Sequence, residues 1–175
     1  LKEGVTGIYS LLYFDMNWSV PACIVLDHYT AYGLEQDENN SIGAGGTLNP
    51  DNGKIQAFWT GEYAIAARAN SVIYGAKNAV AGMSDAARQY YAEARVLRAY
   101  AYYNLVSAFG DVPFFTAPVT IDEYQSGRTP KGDIIDFLIE DLNDAADYLP
   151  WTGTERGRVD KAVAYGLIAR IGLFG

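Results

Sequence analysis

Apolar positions recur at helical spacing along most of the chain. Val5, Ile8, Leu11 and Leu12 form one stripe and predict a first helix over about residues 2–14. Over about 54–81, Ile55, Trp59, Ala66, Asn70 and Ile73 share one side, with Gly82 to end the helix and Ser84 to cap the next. The clearest helix runs over about 85–109, where Tyr90, Tyr91, Ala94, Leu97, Arg98, Ala101, Leu105 and Phe109 make a continuous face. Gly110 supplies its stop, and Asp111-Val112-Pro113 cannot extend it. Thr129 is placed to cap a fourth helix, with Pro130 at its first position. On that helix Ile134, Ile135, Leu138, Leu142, Ala145 and Leu149 oppose Asp133, Asp136, Glu140, Asp144 and Asp147. Asp160 can cap a fifth, running to about Phe174.

Between the first two helices the pattern breaks. Residues 17–54 hold Trp18, His28, Tyr29 and Tyr32, then an acidic and glycine-rich run from Asp37 to Gly46, then the turn Asn49-Pro50-Asp51-Asn52-Gly53. An irregular stretch of this length inside a helical domain marks a functional segment more often than an idle one. Strand is expected only in short pieces, near 17–54 or 112–121. The prediction is therefore an all-α fold of stacked helical hairpins, similar to tetratricopeptide architecture, occupying residues 1–175 as part of one domain. The last helix is apolar with nothing after it to cover its other side, so a larger protein is expected to continue beyond Gly175.

Composition narrows the functions. Half the residues are hydrophobic and 14% are aromatic, which excludes a disordered chain. Fourteen tyrosines are unusual; each can pack between helices or offer a ring and hydroxyl to a ligand. A net charge of −8 removes the driving force for nucleic-acid binding and for adsorption to anionic lipid. The single cysteine, Cys23, allows no internal disulfide and reads as a small buried hydrophobe. Val20-Pro21-Ala22-Cys23 has the look of a lipoprotein cleavage box, but Asp15 and Asn17 interrupt the apolar core such a signal needs.

Catalytic and cofactor motifs do not assemble. Asp37, Asn39 and Ser41 match the start of a calcium loop, but Ile42 stands where glycine is required and Leu48 where glutamate is required. Gly53-Lys54 lacks the earlier glycine and following hydroxyl of a phosphate loop. Gly43-Ala44-Gly45-Gly46 does not join a strand to a helix. One histidine, His28, stands beside Asp27, which falls short of a metal cluster. Glu93, beside an apolar face, is the one helix-borne acid placed to matter for hydrolysis. Neither a metal nor a cofactor is expected, nor is enzymatic activity.

One long segment carries a resemblance. Tyr91-Ala92-Glu93-Ala94-Arg95-Val96-Leu97-Arg98-Ala99-Tyr100-Ala101-Tyr102-Tyr103-Asn104-Leu105-Val106, followed by Phe109-Gly110-Asp111-Val112-Pro113-Phe114-Phe115-Thr116, resembles the hallmark of the SusD/RagB family. Upstream, Trp59 to Ala69-Asn70-Ser71-Val72-Ile73 agrees with it; downstream so do Arg128-Thr129-Pro130, Ile139-Glu140-Asp141-Leu142 and Gly157-Arg158-Val159 through Arg170. The resemblance spans about residues 55–174, and residues 1–54 match by layout alone.

What the resemblance implies is a cell-surface lipoprotein of the outer membrane, its lipidated cysteine upstream of this chain. It implies capture of an oligosaccharide or similar nutrient for a SusC-like TonB-dependent transporter. Ligand contacts in the family come from loops after the first helix, which here points to Trp18, Asp27, His28, Tyr29, Tyr32 and Asn49. Trp59, Asn70, Arg98, Gly110, Asp111 and Pro113 are the structural motif, not ligand contacts. Arg98 is expected to be buried against an acid, with Glu93, Asp111 and Asp141 as candidates, and Trp59 to pack in the core with Trp18, Tyr29 and Tyr32 more exposed. The alternative is a helical scaffold for protein–protein interaction without direct sugar binding.

Overall fold

A computed structural model describes residues 1–13, 15–17, 20–21, 51–153 and 155–174. The chain divides into two compact units, one of Leu1–Ser10 with Glu62–Gly175 and one of Leu11–Gly61. The described residues contain five α-helices: α1 (Lys2–Tyr9), α2 (Gly53–Ala76), α3 (Asp85–Phe109), α4 (Lys131–Ala146) and α5 (Lys161–Phe174). Among the described residues, strand is confined to an antiparallel pair, β1 (Asp15–Asn17) and β2 (Val20–Pro21), plus an isolated bridge between Val112 and Thr129. The all-α expectation holds.

In the larger unit, successive helices run antiparallel. Glu62 and Asn70 of α2 meet Asn104 and Arg98 of α3, in reverse order along the two helices. Arg95 and Arg98 likewise meet Asp144 and Asp141 of α4. Lys131 at the start of α4 lies over the ring of Phe174 at the end of α5. The helix α3 is the centre. Its spacing points to one apolar face, but Gln89, Ala92, Glu93, Ala94, Val96, Leu97, Arg98, Ala99, Ala101, Tyr102, Leu105 and Val106 are all buried. Neighbours on several sides explain this, and the small Ala92, Ala94, Ala99 and Ala101 let those neighbours approach. On α4 and in the turn that ends it, the division is the expected one: Ile134, Ile135, Leu138, Leu142, Ala145 and Leu149 are buried, while the five acids opposite are exposed.

The caps follow local chemistry, with two corrections. Ser84 Oγ accepts from Ala87 N at the head of α3, and Asp160 Oδ1 accepts from Val163 N at the head of α5, both as expected. Asn52 Oδ1 does the same for α2 through Lys54 N and Ile55 N. At α4, however, Pro130 occupies the cap with no side-chain bond of its own, and Thr129 pairs instead with Val112. The orphan Lys131 N–H goes to Asp111 Oδ1 at 2.8 Å, a cap supplied from across the loop. The second correction concerns α1, which stops at Tyr9 and leaves Leu11 and the exposed Leu12 outside it. Ser10 ends it, its Oγ donating back to Gly7 O. The second helix also tightens early, into a 3-10 turn over Lys77–Gly82, and Arg88 donates to the carbonyls of Val80 and Ala81 there.

The first helix packs closely on α2. A Cβ added at Gly4 would stand 2.9 Å from Val72 Cγ2, and one at Gly7 would stand 3.2 Å from the Arg68 guanidinium. Glycine at position 4 is thus a condition of that approach, whereas at position 7 the end of the Arg68 side chain can give way.

Candidate functional site

The six residues predicted to contact ligand, Trp18, Asp27, His28, Tyr29, Tyr32 and Asn49, lie outside the described residues, as do Cys23 and the Asp37, Asn39, Ser41 run. The described residues include the motif expected to be structural, and its Asn70 and Arg98 converge, with Tyr63 and Tyr102, on the loop that follows α3.

That loop begins at Gly110, whose φ of 71° is a conformation that side chains disfavour. Its N–H closes α3 on Val106 O at 2.9 Å. Asp111 turns aside to cap α4. The Tyr63 hydroxyl then donates to Pro113 O at 2.6 Å, and Asn70 Nδ2 donates to Phe115 O at 2.7 Å. Tyr102 bonds Phe115 twice, accepting from its N–H at 2.9 Å and donating to its carbonyl at 3.1 Å. Burial pushes the Tyr102 phenol up to about 12, against the opposing pull of the Phe115 N–H and of Arg98, so it stays a neutral donor at neutral pH. The Phe114 ring sits edge-on to Tyr102 at 4.6 Å and to Phe137 at 5.1 Å.

Arg98 joins these parts. It is 3% exposed, and its guanidinium donates to Asn70 Oδ1 at 3.1 Å, to Thr116 O at 3.3 Å and to Asp141 Oδ2 at 2.7 Å. Of the three candidate acids, Asp141 is the partner. The same carboxylate takes Arg95 on its other oxygen at 2.6–2.7 Å. Sequence reasoning found Arg98 and Asn70 but missed Arg95, Tyr63 and Tyr102. The surplus of polar atoms facing α3's buried side was the available signal, since buried polar groups require partners.

A second buried centre surrounds Glu93, which is 0% exposed. Tyr9 donates to its Oε2 at 2.8 Å, Gln89 to its Oε1 at 3.1 Å, and Arg158 Nε lies 3.0 Å from Oε2. The Tyr9 hydroxyl also accepts from Val159 N at 2.8 Å, so α1, α3 and the segment before α5 are tied together here. Desolvation holds the Tyr9 phenol protonated well above its usual range. A carboxyl group so enclosed, with a phenol, an amide and a guanidinium on it, is engaged in holding these elements together.

Glu62 is different. It is 2% exposed, accepts from Asn104 Nδ2 at 2.8 Å on Oε1, and has no partner for Oε2 among the described residues. Desolvation pushes its carboxyl up to about 7, while the Asn104 bond pulls the other way. Trp59, expected in the core, is only half-buried; its neighbour Phe58 is the buried aromatic. Among the described residues no group of three or more His, Cys, Asp or Glu is placed to hold a metal ion, and no helix is long and apolar enough to cross a membrane.

Comparison with known proteins agrees with this frame. A family model described as "Starch-binding associating with outer membrane" matches residues 1–173. The chain is 34% identical to SusD-like protein P2 of Formosa agariphila, covering 98% of this chain and 35% of that protein. It is also 32% identical to a SusD-like protein of Bacteroides ovatus, over 67% of this chain and 22% of that one. The crystal structure of a SusD-like carbohydrate binding protein from Bacteroides fragilis superposes with a TM-score of 0.79 at 26% identity, covering 97% of this chain and 36% of the other. A laminarin binding SusD-like protein has the same fold, with a TM-score of 0.81 at 23% identity, covering 98% and 39%. The chain spans about a third of the length of the curated relatives that it matches from end to end. With its Arg98 and Gly110 motif in place and the family model matched almost from end to end, the chain belongs to the SusD-like family.

Proposed function

We propose that this chain is the helical part of a non-catalytic saccharide-binding lipoprotein at the outer-membrane surface, capturing glycan for a SusC-like TonB-dependent transporter. The observation that carries the reading is the family match over residues 1–173, whose description names both starch binding and the outer membrane. The relatives described as carbohydrate binding and laminarin binding point to the same class of ligand. The helices and their buried networks form the frame, and the irregular segment bearing Trp18, Asp27, His28, Tyr29, Tyr32 and Asn49 supplies the contacts. Rings there stack on the C–H faces of sugars while Asp, Asn and His sort the hydroxyls.

The test is a glycan array probed with the full-length protein, run beside a hydrolysis assay on every glycan retained. Binding without turnover is expected. Hydrolysis of a retained glycan would move the protein to the enzyme class, and retention of none would remove the saccharide reading. Co-purification of a large outer-membrane transporter from the native host tests the partner; recovery without one would leave the transporter role unsupported.

A further inference from the structure

We draw no further inference here: the strongest candidate, the exposed apolar face of α5 that carries Val163, Tyr165 and Leu173, carries nothing because no feature of the structure shows what covers it.

Discussion

Arg98 and Asp141 meet between α3 and α4 at 2.7 Å, with side chains only 4% and 8% exposed. Two such charges out of water are held by their mutual attraction and by the remaining hydrogen bonds, and removing one strands the other. The arrangement is asymmetric, because Asp141 serves Arg95 as well. Arg98→Ala leaves Asp141 with a cation still in place, so the loss is expected near the lower end of the usual range, about 3 kcal/mol. Asp141→Ala leaves two enclosed guanidiniums and should reach about 5 kcal/mol. Denaturant unfolding of the two variants measures the order directly. Equal losses would mean that Arg95 contributes nothing to the pair.

Glu62 predicts an unusual pH dependence. Burial raises its carboxyl from the ordinary 4.5 to about 7, so the folded protein keeps a proton that the unfolded chain has already released. Where the folded state binds more protons, stability falls as pH rises. The fall should begin near pH 4.5, be complete just above pH 7, and amount to roughly 3 kcal/mol for this group. Glu62→Gln keeps an acceptor for Asn104 and cannot ionise. Relative to wild type it should be the more stable at pH 8 and lose that advantage at pH 5. Parallel stability curves for the two proteins across this range would show that Glu62 is ionised at little cost.

Gly110 and Gly132 test backbone conformation against helix propensity with the same added methyl. Neither position has an atom within 4 Å of a new Cβ, so crowding is removed from the comparison. Gly110 has φ 71°, and Gly110→Ala should destabilise by about 1–3 kcal/mol through strain alone. Gly132 lies in the first turn of α4, where Ala is the better helix former, and Gly132→Ala should stabilise by up to about 1 kcal/mol. Thermal midpoints moving in the same direction would contradict this account.

The sequence made the helices legible wherever spacing and punctuation agreed. Ser84 and Gly110 delimit α3, and Asp160 opens α5, because each acts on its own neighbours. What it could not reveal were partners brought together by folding. Thr129 was the natural cap for α4 until the fold delivered Asp111, twenty residues earlier in the chain, to that N-terminus. Trp59 matched the helical spacing of Ala66 and Ile73 yet is only half-buried, because Phe58 beside it takes the interior position. Glu93 illustrates the same limit. Its place beside an apolar face marked it as unusual, but only Tyr9 and Arg158, from distant parts of the chain, reveal it as an anchor. The proposed ligand contacts stand apart from this pattern, since the aromatics of that stretch have no periodicity to read.

Those contacts give the last prediction. Trp18, Tyr29 and Tyr32 share a stretch without helical spacing and lie near Asp27 and His28, a mixture suited to stacking and hydroxyl recognition. Saccharide affinity is modest, so removing one stacked ring, worth roughly 1 kcal/mol, should weaken binding about fivefold. Calorimetry on Trp18→Ala, Tyr29→Ala and Tyr32→Ala, each in the full-length protein with a glycan retained on the array, reads this directly. Arg98→Lys serves as the contrast. It weakens the fold at Asp141 and Asn70, so it should lower the thermal midpoint while the folded fraction binds as wild type does. If the three aromatic variants bind normally and instead lose the transporter in co-purification, the segment serves the partner and not the sugar. Normal binding together with normal complex formation would remove residues 17–49 from both roles.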